Sequence, residues 1–412
     1  MRAGRVLGFL RQHWIDTAVI TFFCYYSIHV LSLAKLFHLT VGPEWYRDLG
    51  LAWYLGDATV SHDYPIGSYF QPPAHAILFH LYGLLNRDIA FRLYLIAEVC
   101  AVWITVWAWC RIGGIRTKQN AMLVPLLGFL AASRYVHSEL AFHNQNALVL
   151  MLLSLALLFE RRPIFAGGCY AVSVAIKPYS NVFIMPWMIW RGEYRWVAAA
   201  FCWLMFWFAI LPAYWFGVDR SLQIYGSEIV SIWDAATLGN QANLSVLGGL
   251  AALTGRSSLD PIVRAGSFAL QGFWLAAWAS YFIPTLKDAR HCRGIAAACD
   301  YAAILLIALP LGRYMQPPRE IALLAGTLLL AVGVFDDRLS VPRRFTLTCI
   351  LVAIGLSSWA VPLGPLSCLL AIPICFAALG GLWILRAASI EDVVRCEGKP
   401  AQSTDEMVST GI

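Results

Sequence analysis

Long stretches of apolar residues with almost no charge inside them dominate this chain, and that pattern leaves few folds open. Runs at 14–37, 88–110, 196–217, 262–286, 345–361 and 365–385 are each long enough to span a bilayer as a helix, which takes about 20 residues across a ~30 Å hydrocarbon core. Shorter apolar runs lie at 119–133, 145–160, 163–177, 180–190, 295–312 and 319–335. Short spans are tolerated in a bundle, where neighbouring helices satisfy exposed backbone groups. Of the 412 residues, 59% are hydrophobic and only 13% charged, against roughly 25% charged in a soluble domain. A single core stops growing beyond ~250–300 residues, so lipid must solvate much of this apolar surface. The expected fold is an all-α polytopic membrane protein of about 12 transmembrane helices. Seventeen Trp and seventeen Tyr suit a protein with two membrane interfaces to anchor.

The basic residues orient those helices. Seven clusters, Arg2/Arg5/Arg11, Arg111/Arg116/Lys118, Arg161/Arg162, Arg191/Arg195, Lys287/Arg290/Arg293, Arg338/Arg343/Arg344 and Arg386/Arg395/Lys399, hold nineteen of the thirty Lys and Arg. Placing all seven in the cytoplasm makes the twelve spans alternate correctly, with both termini inside. This requires the apolar pieces 71–85 and 240–255 not to cross, so each is expected to be a short helix in the outer leaflet. The net charge of +6 then belongs to orientation, and no nucleic-acid partner is implied. Residues 1–386 read as one membrane domain and 387–412 as a short polar, cytoplasmic tail. The first run is long enough to remain as an anchor. The eleven cysteines are scattered without a CxxC or metal-ligand spacing and read as small core residues.

The opposite side receives five segments rich in polar residues. The first contains Asp48 among aromatics. A carboxylate at an interface can take the proton of an attacking sugar hydroxyl; it can equally cap the short helix that follows. Tyr64 and Tyr69 are candidates for stacking on a sugar face, and Gln71-Pro72-Pro73 opens the first short helix, where proline loses no hydrogen bond. The second segment packs Arg134, His137, Glu139, His143, Asn144, Gln145 and Asn146 into thirteen positions. Polar groups that dense at a bundle mouth need partners, either a pocket for hydroxyls and phosphate or a polar cap over two helix ends. The third places Lys177 at a proline-broken hairpin tip, where a buried ammonium needs an anion or else snorkels to the interface. The fourth holds Asn240 and Gln241, whose amides both donate to and accept from hydroxyls but also cap helices. The fifth holds Arg313, Tyr314 and Arg319; cations here run against the orientation rule and their forked geometry suits phosphate.

The order of these elements resembles family 87 of the glycosyltransferases: an outer-loop Asp after the first span, Tyr69-x-x-Pro72-Pro73, the segment Asn144-Gln145-Asn146, Ala175-x-Lys177-Pro178 at the hairpin, and Asn240-Gln241 followed by Ser245. The resemblance covers roughly residues 40–250. That family comprises membrane-embedded GT-C enzymes that use polyprenyl-phosphate sugars, the mycobacterial α-1,2-mannosyltransferases among them. It implies a GT-C-like bundle, Asp48 as catalytic base, and Lys177 and the amides as binding residues. Asn144 stands where that family usually has Gly. The late Ser-Pro…Trp-x-His-His element of many members is missing, since the region reads Leu309-Pro310-Leu311-Gly312-Arg313-Tyr314.

By this resemblance the chain is expected to be an inverting transferase of the bacterial inner membrane, active on the outer face. It would move a mannose-like hexose or a pentose from a polyprenyl-phosphate donor to a hydroxyl of a lipid-linked or glycan acceptor. No cofactor is expected, and no metal is assumed. The leaving phosphate needs charge stabilisation, for which Lys177, Arg313 and Arg319 are candidates, with His143 as a hydrogen-bond donor. A transporter or flippase of lipid-linked sugars is the alternative. Transporters place ionisable groups near the midplane and often show inverted repeats, whereas these residues are one-sided and no repeat is visible.

Overall fold

The computed structural model describes residues 18–29, 32, 73–114, 122–142, 145–177, 181, 183–235, 247, 250–251, 254–257, 260–285, 294–311, 321–360 and 365–397. Among these residues every regular element is helical. In chain order they are α1 (Ala18–His29), α2 (Pro73–Leu78), α3 (His80–Gly83), α4 (Arg87–Ile112), α5 (Leu123–Phe142), α6 (Asn146–Leu158), α7 (Pro163–Ile176) and α8 (Ile184–Trp190). There follow α9 (Tyr194–Phe216), α10 (Val218–Ala235), α11 (Pro261–Thr285), α12 (Ile295–Leu311), α13 (Leu323–Val334), α14 (Val341–Ala360) and α15 (Pro365–Glu397). Each of the twelve runs expected to span overlaps one of these helices, whereas the short helix expected at 240–255 lies mostly outside the described residues. Three segments, Asp88–Ile112, Tyr194–Phe216 and Pro373–Glu391, are long and apolar enough to cross a membrane. Together these features make it a helical membrane protein.

Local chemistry sets several of the helix ends. Asn86 caps α4, its side-chain oxygen accepting from Asp88 N at 2.9 Å, and Asp88 in the first turn with Arg111 in the last complements the helix dipole. Within α9 the backbone passes through a π-helical turn at Phe206–Ile210. Pro212 has no N–H for the Phe208 carbonyl four residues earlier, and the Tyr225 hydroxyl of α10 donates to that carbonyl instead, at 2.6 Å. The segment 218–260, expected to be an outer loop, is not simply loop, because α10 fills its first part. The short helix expected at 71–85 breaks at Phe79 into α2 and α3.

α13 is the centre of the bundle. Every residue from Leu323 to Gly333 is buried, and α4, α5, α12, α14 and α15 pack around it. Close approach needs small residues: a Cβ on Gly128 of α5 would meet Leu328 Cα at 2.8 Å, and one on Gly167 of α7 would meet Ala200 N of α9 at 2.6 Å. Aromatic tips tie the helices together. Trp109 Nε1 of α4 donates to Ser154 Oγ of α6 at 2.8 Å, the Tyr301 hydroxyl of α12 to Leu153 O of α6 at 3.1 Å, and Trp274 Nε1 of α11 to Ile307 O of α12 at 3.1 Å. The interface anchoring expected of Trp and Tyr is thus not their only use, since these three are fully buried. Outward faces are apolar as well, as with Ile89, Leu93 and Ile96 on α4 and Val341, Phe345, Val352 and Leu356 on α14. Cys24, Cys100, Cys110, Cys169, Cys202, Cys299, Cys349 and Cys375 are free.

The basic turns converge on one end of the bundle. Arg191 NH1 donates to Glu160 Oε2 at 2.8 Å and lies over the Trp187 ring. Arg386 Nε donates to Asp300 Oδ1 at 2.7 Å, the Tyr281 hydroxyl reaches the same oxygen at 3.2 Å, and the Arg191 charge acts on Asp300. Arg343 binds Glu391 through both carboxylate oxygens. The polar tail from 387 thus begins as a continuation of α15, held to the start of α14.

Candidate functional site

At the opposite ends of α6 and α7 from those basic turns lies a buried polar cluster. α6 has 13 residues and α7 has 14, about 20 Å each, well short of a ~30 Å hydrocarbon core. Both stop inside the bundle, and the polar groups sit where they stop. Glu98 marks the depth: it is the twelfth residue of α4, about 16 Å from the start of that helix.

The cluster is organised around the start of α6. Glu139 of α5 is fully buried. Its Oε1 accepts from Ala147 N at 2.9 Å and its Oε2 from Asn146 Nδ2 at 2.9 Å. Gln145 N donates to Oε1 of the equally buried Glu98 at 3.3 Å. Two carboxylates therefore meet the N-terminus of α6, the end where free N–H groups and the helix dipole favour negative charge. Gln145 itself has φ 63°, the only positive φ outside glycine among the described residues. That left-handed conformation costs a non-glycine residue about 1–2 kcal/mol, and strain of this kind collects at functional sites.

His75 of α2 completes the near side. Its Nε2 hydrogen-bonds with Gln145 Oε1 at 2.8 Å, and the ring packs on Phe79 with centroids 4.6 Å apart. Lys177, only 3% exposed, follows the last turn of α7, where a cation complements the dipole. Its charge acts on both Glu139 and His75. Asn181 closes the hairpin beneath it: Asn181 Nδ2 donates to Lys177 O at 3.0 Å and to Ser173 Oγ at 3.1 Å, while the Tyr170 hydroxyl donates to Asn181 O at 3.2 Å.

Of the residues expected from sequence, Glu139, Gln145 and Lys177 are brought together. Arg134 and His137 are half-buried on α5, but His137 lies close enough to His29 of α1 to feel its charge. Two positions from Glu139, it points to the opposite face of a 3.6-residue helix. Arg134 forms no ion pair among the described residues. Asp48, Tyr64, Tyr69, Gln71, His143, Asn144, Asn240, Gln241, Arg313, Tyr314 and Arg319 lie outside the described residues. His75, Glu98 and Asn181 were not anticipated. The one available signal was a lone ionisable or amide group within an apolar helix or tip, which has to find a partner. Among the described residues no group of three His, Cys, Asp or Glu is placed to hold a metal ion.

A fixed ammonium, two carboxylates, an imidazole and two amides gathered in one buried cluster are groups that can orient hydroxyls and tolerate charge that develops beside them. No curated protein and no solved structure matches the chain. The family model of glycosyltransferase family 87 matches residues 69–310, more than half of the chain and every residue of this cluster, and the protein belongs to that family of glycosyltransferases.

Proposed function

We propose that the protein transfers a sugar, a mannose-like hexose or a pentose, from a polyprenyl-phosphate donor to a hydroxyl of a lipid-linked or glycan acceptor, with inversion, on the outer face of the bacterial cell membrane. The observation that carries this reading is the buried polar cluster where α6 and α7 end, within a bundle of this family. A reaction at the headgroup plane needs such a place, because the donor's lipid tail tethers its anomeric carbon near the membrane. With the expected topology, about twelve spans and both termini cytoplasmic, the cluster would face away from the cytoplasmic basic turns.

In the transfer, the Asp48 carboxylate takes the proton of the acceptor hydroxyl as its oxygen bonds to the anomeric carbon. The bond from that carbon to phosphate breaks, and its electron pair leaves on polyprenyl phosphate. Charge on the departing phosphate is met by Arg313, Arg319 and Lys177. The Lys177 charge already acts on Glu139, so the arginines carry most of that load and Lys177 mainly fixes the cluster. Gln145, Asn240 and Gln241 orient hydroxyls, and Tyr64 and Tyr69 stack on sugar faces. Asp48 lies before the matched segment and Arg313 and Arg319 just after it, so their roles rest on this proposal. No metal or cofactor enters the scheme.

Asp48→Asn tests the base. The variant is expected to express and melt like wild type while transfer from a polyprenyl-phosphate sugar falls by about 10²-fold or more. Transfer near the wild-type rate would remove Asp48 from the mechanism. Movement of the lipid-linked sugar across a liposome membrane without a new glycosidic bond would favour a flippase.

A further inference from the structure

A groove on the surface of the bundle, at the other end of α7 from Lys177, has no part in the transfer reaction. It encloses about 610 Å3, within the ~300–1,000 Å3 usual for small-ligand sites. Its walls are Leu152 of α6, Ile164, Phe165 and Val172 of α7, and Trp203 of α9, and its one charged lining residue is Arg162. The walls are held in place: Trp203 Nε1 donates to Ile164 O at 3.1 Å, and a Cβ on Gly168 would sit 3.3 Å from that indole nitrogen. On the open side Ile164, Phe165 and Trp203 are exposed. In a membrane-embedded bundle that side meets acyl chains.

The charge at the end of the groove is uncompensated. Arg161 and Arg162 are both exposed, and neither forms an ion pair among the described residues. The carboxylate next to them in sequence, Glu160, is occupied by Arg191 at 2.8 Å, and the Arg162 guanidinium rests 5.8 Å from the Phe159 ring centroid. An apolar slot that ends at two free cations matches a molecule with an apolar tail and an anionic head. We propose that this groove binds an anionic phospholipid, with an acyl chain against α6, α7 and α9 and its phosphate at Arg161 and Arg162. Basic pockets between membrane helices hold anionic headgroups in this way. A zwitterionic lipid brings its own cation to the same place and gains less. The groove is separated from the polar cluster by the length of α7, about 21 Å for 14 residues. The proposal therefore rests on the membrane-embedded bundle and not on the transfer reaction.

Native mass spectrometry of the full-length protein, released from detergent and titrated with phosphatidylglycerol or phosphatidylcholine, tests this. Wild type is expected to retain phosphatidylglycerol preferentially. Replacing both cations (R161Q with R162Q) should weaken that binding about thirtyfold, from about fivefold per charge, and leave phosphatidylcholine binding unchanged. V172W, which fills the slot, should weaken both lipids; the exposed arginine pair carries the test if that variant does not fold. Equal retention of the two lipids by wild type would overturn the proposal. So would full phosphatidylglycerol binding by the double arginine variant, or its displacement by millimolar inorganic phosphate alone, which would reduce the groove to an anion site without a lipid.

Discussion

Glu139 is held at both of its oxygens. Each accepts one hydrogen bond, from Ala147 N and Asn146 Nδ2, and the Lys177 charge acts on it. Glu139→Gln keeps the shape but turns an amide NH2 toward one of those donors. The expected cost is about 2 kcal/mol, the usual scale for leaving a buried hydrogen-bonding group unsatisfied. Lys177→Met should cost at least as much, because it removes the cation that acts on buried Glu139 beside Glu98. The two changes combined should lose less than their sum by about 1 kcal/mol or more. Chemical unfolding of the detergent-solubilised protein reads this cycle, and strictly additive losses would take Lys177 out of the cluster. Part of this arrangement is legible in sequence: a dense polar run at 134–146 and a lysine on a proline-broken tip both stand out against apolar flanks. The rest is not, because Glu98, His75 and Asn181 stand singly in their segments and acquire partners only when α2, α4 and α7 pack. The strained backbone at Gln145 has no signal either, since glutamine is not a residue that favours φ above zero.

At the scale of elements, what the sequence conceals is length. Apolar runs at 145–160, 163–177 and 180–190 look like short spans, and each does become a helix. Yet α6 and α7 end at the buried cluster, and α8 has only seven residues, about 10 Å. Their shortness leaves the polar cluster buried at their ends, so the position of α7 against α9 sets where Lys177 stands. That contact depends on Gly167, where a methyl group would strike the Ala200 backbone at 2.6 Å. Gly167→Ala should force the helices apart at a cost of about 1–3 kcal/mol and lower transferase activity through displacement of Lys177. Gly168→Ala is the matched control. Its methyl group meets only an indole edge at 3.3 Å, and alanine gains helix propensity over glycine by up to about 1 kcal/mol. Thermal midpoints of the two variants should therefore differ by more than either error, with Gly168→Ala the higher. The reverse order would mean that α7 and α9 can slide to absorb the methyl group.

For the whole molecule, the contacts among the basic turns bear on how the chain threads the membrane. Glu160 with Arg191, Arg191 near Asp300, and Asp300 with Arg386 join three helix ends. Arg343 with Glu391 adds a fourth. Gly113 at the end of α4 lies so close to α13 that a Cβ there would meet Val332 Cγ2 at 2.7 Å, next to the turn that carries Arg338. Clusters far apart in sequence thus share one end of the bundle, which is what the positive-inside rule demands if that end is cytoplasmic. The decisive segment is the α7–α8 hairpin. It begins at Arg161 and Arg162 and ends at Arg191 and Arg195, and neither helix has the length to cross a bilayer alone. The hairpin should therefore enter from the basic side and return to it. Alkaline phosphatase fusions after residues 114, 162, 192 and 338 should all be inactive, the mark of a cytoplasmic junction, and fusions after residues 144 and 260 should be active. Opposite results at 162 and 192 would mean that the hairpin crosses once; every later loop would then change sides, and the cations at Arg338, Arg343 and Arg344 would face the exterior against the rule. Agreement at all six positions would put Glu139, Gln145 and Lys177 on the exterior side, where a tethered donor could reach them.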